Sequence, residues 1–225
     1  MRKVITIVTV VLANHLGWSQ NALETGEFTE VKIANKTHIE IVESTENKVE
    51  IIEGEAANIT LENSKGRLII KNNIKSFIKE GEYPLRIKLY AKNLQLIDVE
   101  SGSYVYSKGT ITKNFTIEAN LASEVHLTFK ANEVKANANS GAKIILKGSI
   151  DHLNANAATS GSIIAKDDIT LSQSVMARVN TGGIIEIKTD ADVDAQTKAG
   201  GRIDILGTPK TLKQKINFGG SINVL

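Results

Sequence analysis

From about residue 101 onward the chain keeps returning to one short theme. The stretches SGSYVYS, NSGAKIILK, TSGSIIAKD, TGGIIEIKT, AGGRIDILG and GGSINVL each set one or two small residues ahead of an aliphatic, alternating run. Aligned on one small residue per cycle, at Gly102, Ala122, Gly141, Gly161, Gly182, Gly200 and Gly219, the separations are 20, 19, 20, 21, 18 and 19. Such a period restricts the fold strongly, because a unit of that size cannot bury a face alone and must stack on the next one.

The columns of the alignment say how the units stack. Three residues after each anchor stand Val105, Val125, Ile144, Ile164, Ile185, Ile203 and Ile222, aliphatic every time. Five after stand Ser107, Leu127, Leu146, Lys166, Ile187, Ile205 and Val224, with the register open to a shift of one residue near Lys166. Between them Tyr106, His126, Ile145, Ala165, Glu186, Asp204 and Asn223 change from cycle to cycle. Strands alternate their side chains between two faces, so the aliphatic columns point inward and the drifting one outward. The prediction is a β-solenoid of 18–21-residue coils, rising about 4.8 Å per coil. Two residues before the anchor, Asn120, Asn139, Asn180 and Asn217 recur, which suggests stacked side-chain amides at the corner.

Upstream, FTEVKI, HIEIV, KVEII, NITLEN, RLIIK and LRIKLY also alternate, separated by Gly, Asn, Ser and Asp. Period two over short runs means strand, and helix signals are nearly absent, so the class is all-β. Residues 28–100 are expected to form N-terminal coils, with an inserted loop or cap near 72–84, and residues 101–225 the regular repeats. No Pro, Gly or Ser-rich linker divides 20–225, which reads as a single domain.

The first nineteen residues differ from the rest. Arg2 and Lys3 precede an apolar run from Val4 to Leu16, then Gly17 and Ser19, the layout of a secretory signal peptide. That run is shorter than the roughly 20 residues a membrane-spanning helix needs. The chain is therefore expected to be exported, to the periplasm, the outer cell surface or the medium, with no membrane span in the mature part. There is no cysteine, so stability rests on packing and hydrogen bonds. Without Arg2 and Lys3, 25 basic residues face 25 acidic ones. A neutral chain without a basic tract is a poor nucleic-acid binder.

Chemistry-bearing motifs are sparse. His38, His126 and His152 stand apart from one another at no metal-ligand spacing, and no nucleophile elbow, zinc-protease or phosphate-loop motif occurs. Asp190, Asp192 and Asp194 alternate in DADVDA and would share a strand face, a possible calcium set or an ordinary exposed face. Glu186 and Asp204 fall in the outward column on neighbouring coils, the one carboxylate pair suited to glycoside cleavage. Tyr104 and Tyr106 share a face, while Tyr83 and Tyr90 flank the presumed loop; exposed tyrosines on a flat sheet can stack on sugar rings or anchor a protein. The expectation is no catalytic, cofactor-binding or metal site.

The succession FTEVKI, HIEIV, GRLIIK, NLQLIDVESGS and GGSINVL resembles the bacterial family described as putative auto-transporter adhesin, head GIN domain (DUF2807). The resemblance implies a right-handed parallel β-helix related in form to pectin-lyase folds, export in Bacteroidetes, and a role in cell adhesion, with no catalytic set to carry over. Ala122 and Lys166 depart from the pattern. The functional expectation is a non-enzymatic binding domain whose partner is a cell-envelope protein or a polysaccharide. A polysaccharide lyase or hydrolase and a structural envelope component joined to other copies through its ends are the alternatives.

Overall fold

The structure is a computed structural model that describes residues 22–73 and 85–225. The presumed signal segment, Tyr83 and all of the presumed loop beyond Asn73 lie outside the described residues. The N-terminal strands are β1 (Ala22–Glu24), β2 (Glu30–Ala34), β3 (Thr37–Glu43), β4 (Lys48–Glu53), β5 (Ile59–Ser64), β6 (Arg67–Asn72), β7 (Leu85–Ala91), β8 (Leu96–Val99) and β9 (Tyr104–Ile111). Next come β10 (Phe115–Ala119), β11 (Glu124–Asn139), β12 (Lys143–Ala158), β13 (Ser162–Ala165) and β14 (Ile169–Asn180). The chain finishes with β15 (Ile184–Lys188), β16 (Asp192–Lys198), β17 (Arg202–Leu206), β18 (Thr211–Ile216) and β19 (Ser221–Val224).

These strands form a parallel β-solenoid with two long ladders. One runs β6, β2, β8, β10, the second half of β11, the second half of β12, β14, β16, β18. The other runs β7, β3, β9, the first half of β11, the first half of β12, β13, β15, β17, β19. From β8 onward the coils stack in chain order. The N-terminal coils do not: β2 and β3 sit between β6 and β7 on one side and β8 and β9 on the other. From β2 and β3, inside the stack, the chain loops outward through β4 and β5 to lay down the outer coil, then returns. At that outer end β5 pairs antiparallel with β6, β4 with β7, and β1 with β4. The β5–β6 connection is Lys65–Gly66, both with positive φ, as a two-residue hairpin loop requires.

Each described corner leading from the first ladder into the second is a left-handed dipeptide: Asn35–Lys36, Ser101–Gly102, Leu121–Ala122, Ser140–Gly141, Thr159–Ser160, Thr181–Gly182, Ala199–Gly200 and Phe218–Gly219. The anchor in the fourth repeat is therefore Ser160 and not Gly161, a one-residue correction. Ile163 pairs with Ile144 and Ile185, and Ala165 with Ile187. The first inward column is thus Val105, Val125, Ile144, Ile163, Ile185 and Ile203, each with no exposed surface. Lys166 leaves the core and Ala165 replaces it. The reason is that glycine serves two successive columns. One is the left-handed corner; the next, occupied by Thr37, Ser103, Ser123, Ala142, Gly161, Gly183, Gly201 and Gly220, narrows along the rod. A Cβ on Gly161 would lie 2.0 Å from the Ala138 carbonyl oxygen.

The asparagine row is corrected as well. Ala158 interrupts it between Asn139 and Asn180, and Lys198 interrupts it again before Asn217. Amide bonding runs along the outer face instead, with Asn156 Nδ2 donating to Asn137 Oδ1 at 2.8 Å and Asn137 Nδ2 to Glu118 Oε1 at 2.7 Å.

Candidate functional site

The ladder order brings distant outward residues onto one face. Pairing of β7, β3, β9 and β11 sets Arg86, His38, Tyr104 and Glu124 in one row, and Lys88, Glu40, Tyr106 and His126 in the next. Tyr104 and Tyr106 do share a face, with ring centroids 5.8 Å apart. His38 meets them edge-on at 4.9 and 5.2 Å, and His126 meets Tyr104 at 5.1 Å. All four rings are half-buried in a single patch. Tyr104 and Tyr106 were legible as a pair, whereas His38 joins them only because its coil is inserted beside theirs.

The polar atoms around the rings are tied down. Tyr106 donates its hydroxyl to Glu40 Oε2 at 3.0 Å, and Lys108 lies 3.5 Å from the same carboxylate. His126 Nε2 lies 2.7 Å from Glu124 Oε1 and its Nδ1 3.2 Å from the Tyr104 hydroxyl. A carboxylate only accepts, so Nε2 carries a proton toward Glu124. Tyr90 donates to Glu50 Oε2 at 2.8 Å and Lys48 Nζ sits 4.7 Å from its ring centre. Burial, then the Glu40 hydrogen bond, raise the Tyr106 pKa; the Glu50 hydrogen bond, then burial, raise that of Tyr90. Burial, then the Arg86 charge, lower that of His38 against the pull of Glu40 and Glu53. The Tyr90 and Tyr106 hydroxyls thereby stay protonated and the His38 imidazole neutral near pH 7.

Next to the patch an open cleft of about 610 Å³ runs between the end of β3 and the end of β9. Glu40 belongs to both, and Glu43, Lys108 and Lys113 are the other charged residues of the lining. Rings beside a cleft lined by charges of both signs offer stacking faces and hydrogen-bonding groups together, the combination that sugar rings use.

The other candidates are dispersed. Glu186 and Asp204 are neighbours in the β15–β17 ladder, as the spacing predicted. Both are engaged by cations: Lys166 lies 2.8 Å from Glu186, and Arg202 lies 3.7 Å from Glu186 and 3.0 Å from Asp204, which also accepts from Asn223 at 2.8 Å. This is an ion-pair chain. Asp190 lies in a bend before β16 and accepts from the Thr208 amide, Asp192 accepts from Thr211, and Asp194 pairs with Arg178 at 3.1 Å, so the three aspartates have three separate partners. Among the described residues no three His, Cys, Asp or Glu side chains gather as metal ligands. His152 is exposed and bonds to Ser174. Among the described residues no helix is long and apolar enough to cross a membrane.

Three solved structures share the fold. A protein from Bacteroides fragilis described as a putative adhesin superposes with a TM-score of 0.78 at 16% identity, covering 91% of this chain and 95% of that one. A putative adhesin from Parabacteroides distasonis gives 0.70 at 18% identity, with the same coverage. A protein from Parabacteroides distasonis described as a putative lipid binding protein gives 0.60 at 19% identity, again covering 91% and 95%. At these identities the likeness concerns fold alone. No curated protein matches the sequence. The profile of one family matches residues 27–209, most of the chain, and the chain accordingly belongs to the family described as putative auto-transporter adhesin, head GIN domain.

Proposed function

We propose that the protein is an exported, non-enzymatic recognition domain that binds a polysaccharide of the cell envelope or of a neighbouring cell through the Tyr104–Tyr106 patch and the adjoining cleft. The observation that carries this is the immobilised cluster of His38, Tyr104, Tyr106 and His126 on the outer face of a rigid sheet. A preorganised aromatic surface loses little entropy on binding, which is the main cost of holding a flexible glycan. Family membership supports an adhesive role, and the N-terminal Arg2–Ser19 pattern supports export. The ion-paired state of Glu186 and Asp204 supports binding without cleavage.

The test is a glycan array probed with the purified protein, with calcium and with chelator. Retention of a defined glycan class without product formation is the expected result. Envelope protein captured in place of any glycan would move the reading to a protein partner, and released oligosaccharide would make the protein an enzyme.

A further inference from the structure

We propose that copies of this protein stack head to tail, the β18–β19 end of one docking on the β5–β1 end of the next; the inference is independent of the glycan reading. Among the described residues both ends of the rod expose strand edges. Among the described residues β18 and β19 pair on one side only, with β16 and β17, and β5 pairs only with β6. Leu212 and Ile222 at one end, and Leu23, Ile59 and Leu61 at the other, are core residues only partly covered. Ile216 is 50% exposed, Phe218 90% and Val224 49%. Free strand edges over a half-covered core invite another strand.

Strand direction, facing and charge select the partner. Because β5 runs against its neighbour β6 while β18 runs with the stack, a copy placed along the same axis brings β18 antiparallel to β5. Both strands have six residues. Paired over their full length, Thr211 with Ser64 and Ile216 with Ile59, they keep inward residues opposite inward residues. Ile216 then meets Ile59, Gln214 meets Leu61, and outward Lys213 stands opposite outward Glu62. Beyond Asp204 the chain carries Lys210, Lys213 and Lys215 and no acidic residue, while β1, β4 and β5 at the opposite end carry Glu24, Glu50, Glu53 and Glu62 against the single cation Lys48. Pairing β18 with itself about Gln214 would set Lys213 against Lys215, a like-charge contact. A heterologous contact of this kind does not close on itself and produces linear chains.

The experiment is sedimentation velocity of the purified protein over a concentration series at low and high salt, with the exposed charge-swap variants Lys213→Glu and Glu62→Lys. Expected are species larger than two copies at low salt, an association constant at least tenfold weaker at high salt, and at least tenfold weaker self-association of each variant alone. Lys213→Glu mixed with Glu62→Lys restores assembly, since each then offers the end the other lacks; unchanged circular dichroism melting of each variant excludes a folding defect. A monomer at all concentrations overturns the proposal. So does a dimer that stops at two copies and ignores Glu62→Lys, which would mean that the β18–β19 ends pair with each other, and so does a mixture that fails to assemble.

Discussion

Lys166 reaches Glu186 across the outer face, Nζ to Oε2 2.8 Å, while its neighbour Ala165 fills the core rung below Ile187. One residue of register thus separates a solvated ammonium from a fully buried methyl. Exchanging what stands at these two positions tests the register directly. Ala165→Lys places an unpaired charge among aliphatic side chains and is expected to cost at least about 3 kcal/mol, enough to lose much of the stability of an ordinary domain. Lys166→Ala is expected to leave the urea midpoint almost unchanged. Equal effects of the two would mean that Lys166 lies inside.

The two glycine columns make a second contrast. Gly161→Ala drives a methyl group to 2.0 Å from the Ala138 carbonyl oxygen, within the backbone of the previous coil. Gly141→Ala meets open space and bears only the strain of φ +74°. Overpacking against backbone typically costs 1–3 kcal/mol and a left-handed alanine about 1 kcal/mol, so Gly161→Ala should have the lower urea midpoint of the two.

This contrast also explains what could be read from the sequence. The inward column from Val105 to Ile222 was legible because an aliphatic side chain at strand period leaves one solution at each cycle. Only the fourth repeat misled, since TSG presents a glycine that belongs to the packed column and a serine that takes the corner normally given to glycine. The insertion of the β2–β3 coil was not legible at all. FTEVKI and GRLIIK carry the same alternation, and alternation reports which face is buried, not which strand lies alongside. For the same reason Tyr104 and Tyr106 could be paired from spacing, whereas His38, 66 residues before Tyr104, could not.

His38 gives the patch a pH dependence. In the unfolded chain the imidazole takes up a proton near pH 6.5, but in the folded protein burial, then Arg86, hold its pKa lower, with Glu40 and Glu53 opposing them. The unfolded state therefore binds more protons in this window, so stability falls as the pH falls. The contribution is complete above pH 6.5 and is lost on passing through the folded-state value. Urea midpoints from pH 7.5 to 5 should decline more steeply for the natural protein than for His38→Gln. Parallel declines would place the acid sensitivity elsewhere.

The recognition surface itself can be tested ring by ring once a glycan has been identified. If the rings act by stacking, Tyr104→Phe and Tyr106→Phe keep the faces and lose only the hydroxyl bonds to His126 and Glu40, so each should change affinity less than about threefold. Tyr104→Ala and Tyr106→Ala remove a face and should each weaken binding about tenfold, a loss of about 1.4 kcal/mol. Melting temperatures of all four variants show whether the patch still folds. The reverse order, with phenylalanine as damaging as alanine, would mean that the hydroxyls and their carboxylate partners recognise the ligand and that the rings merely position them.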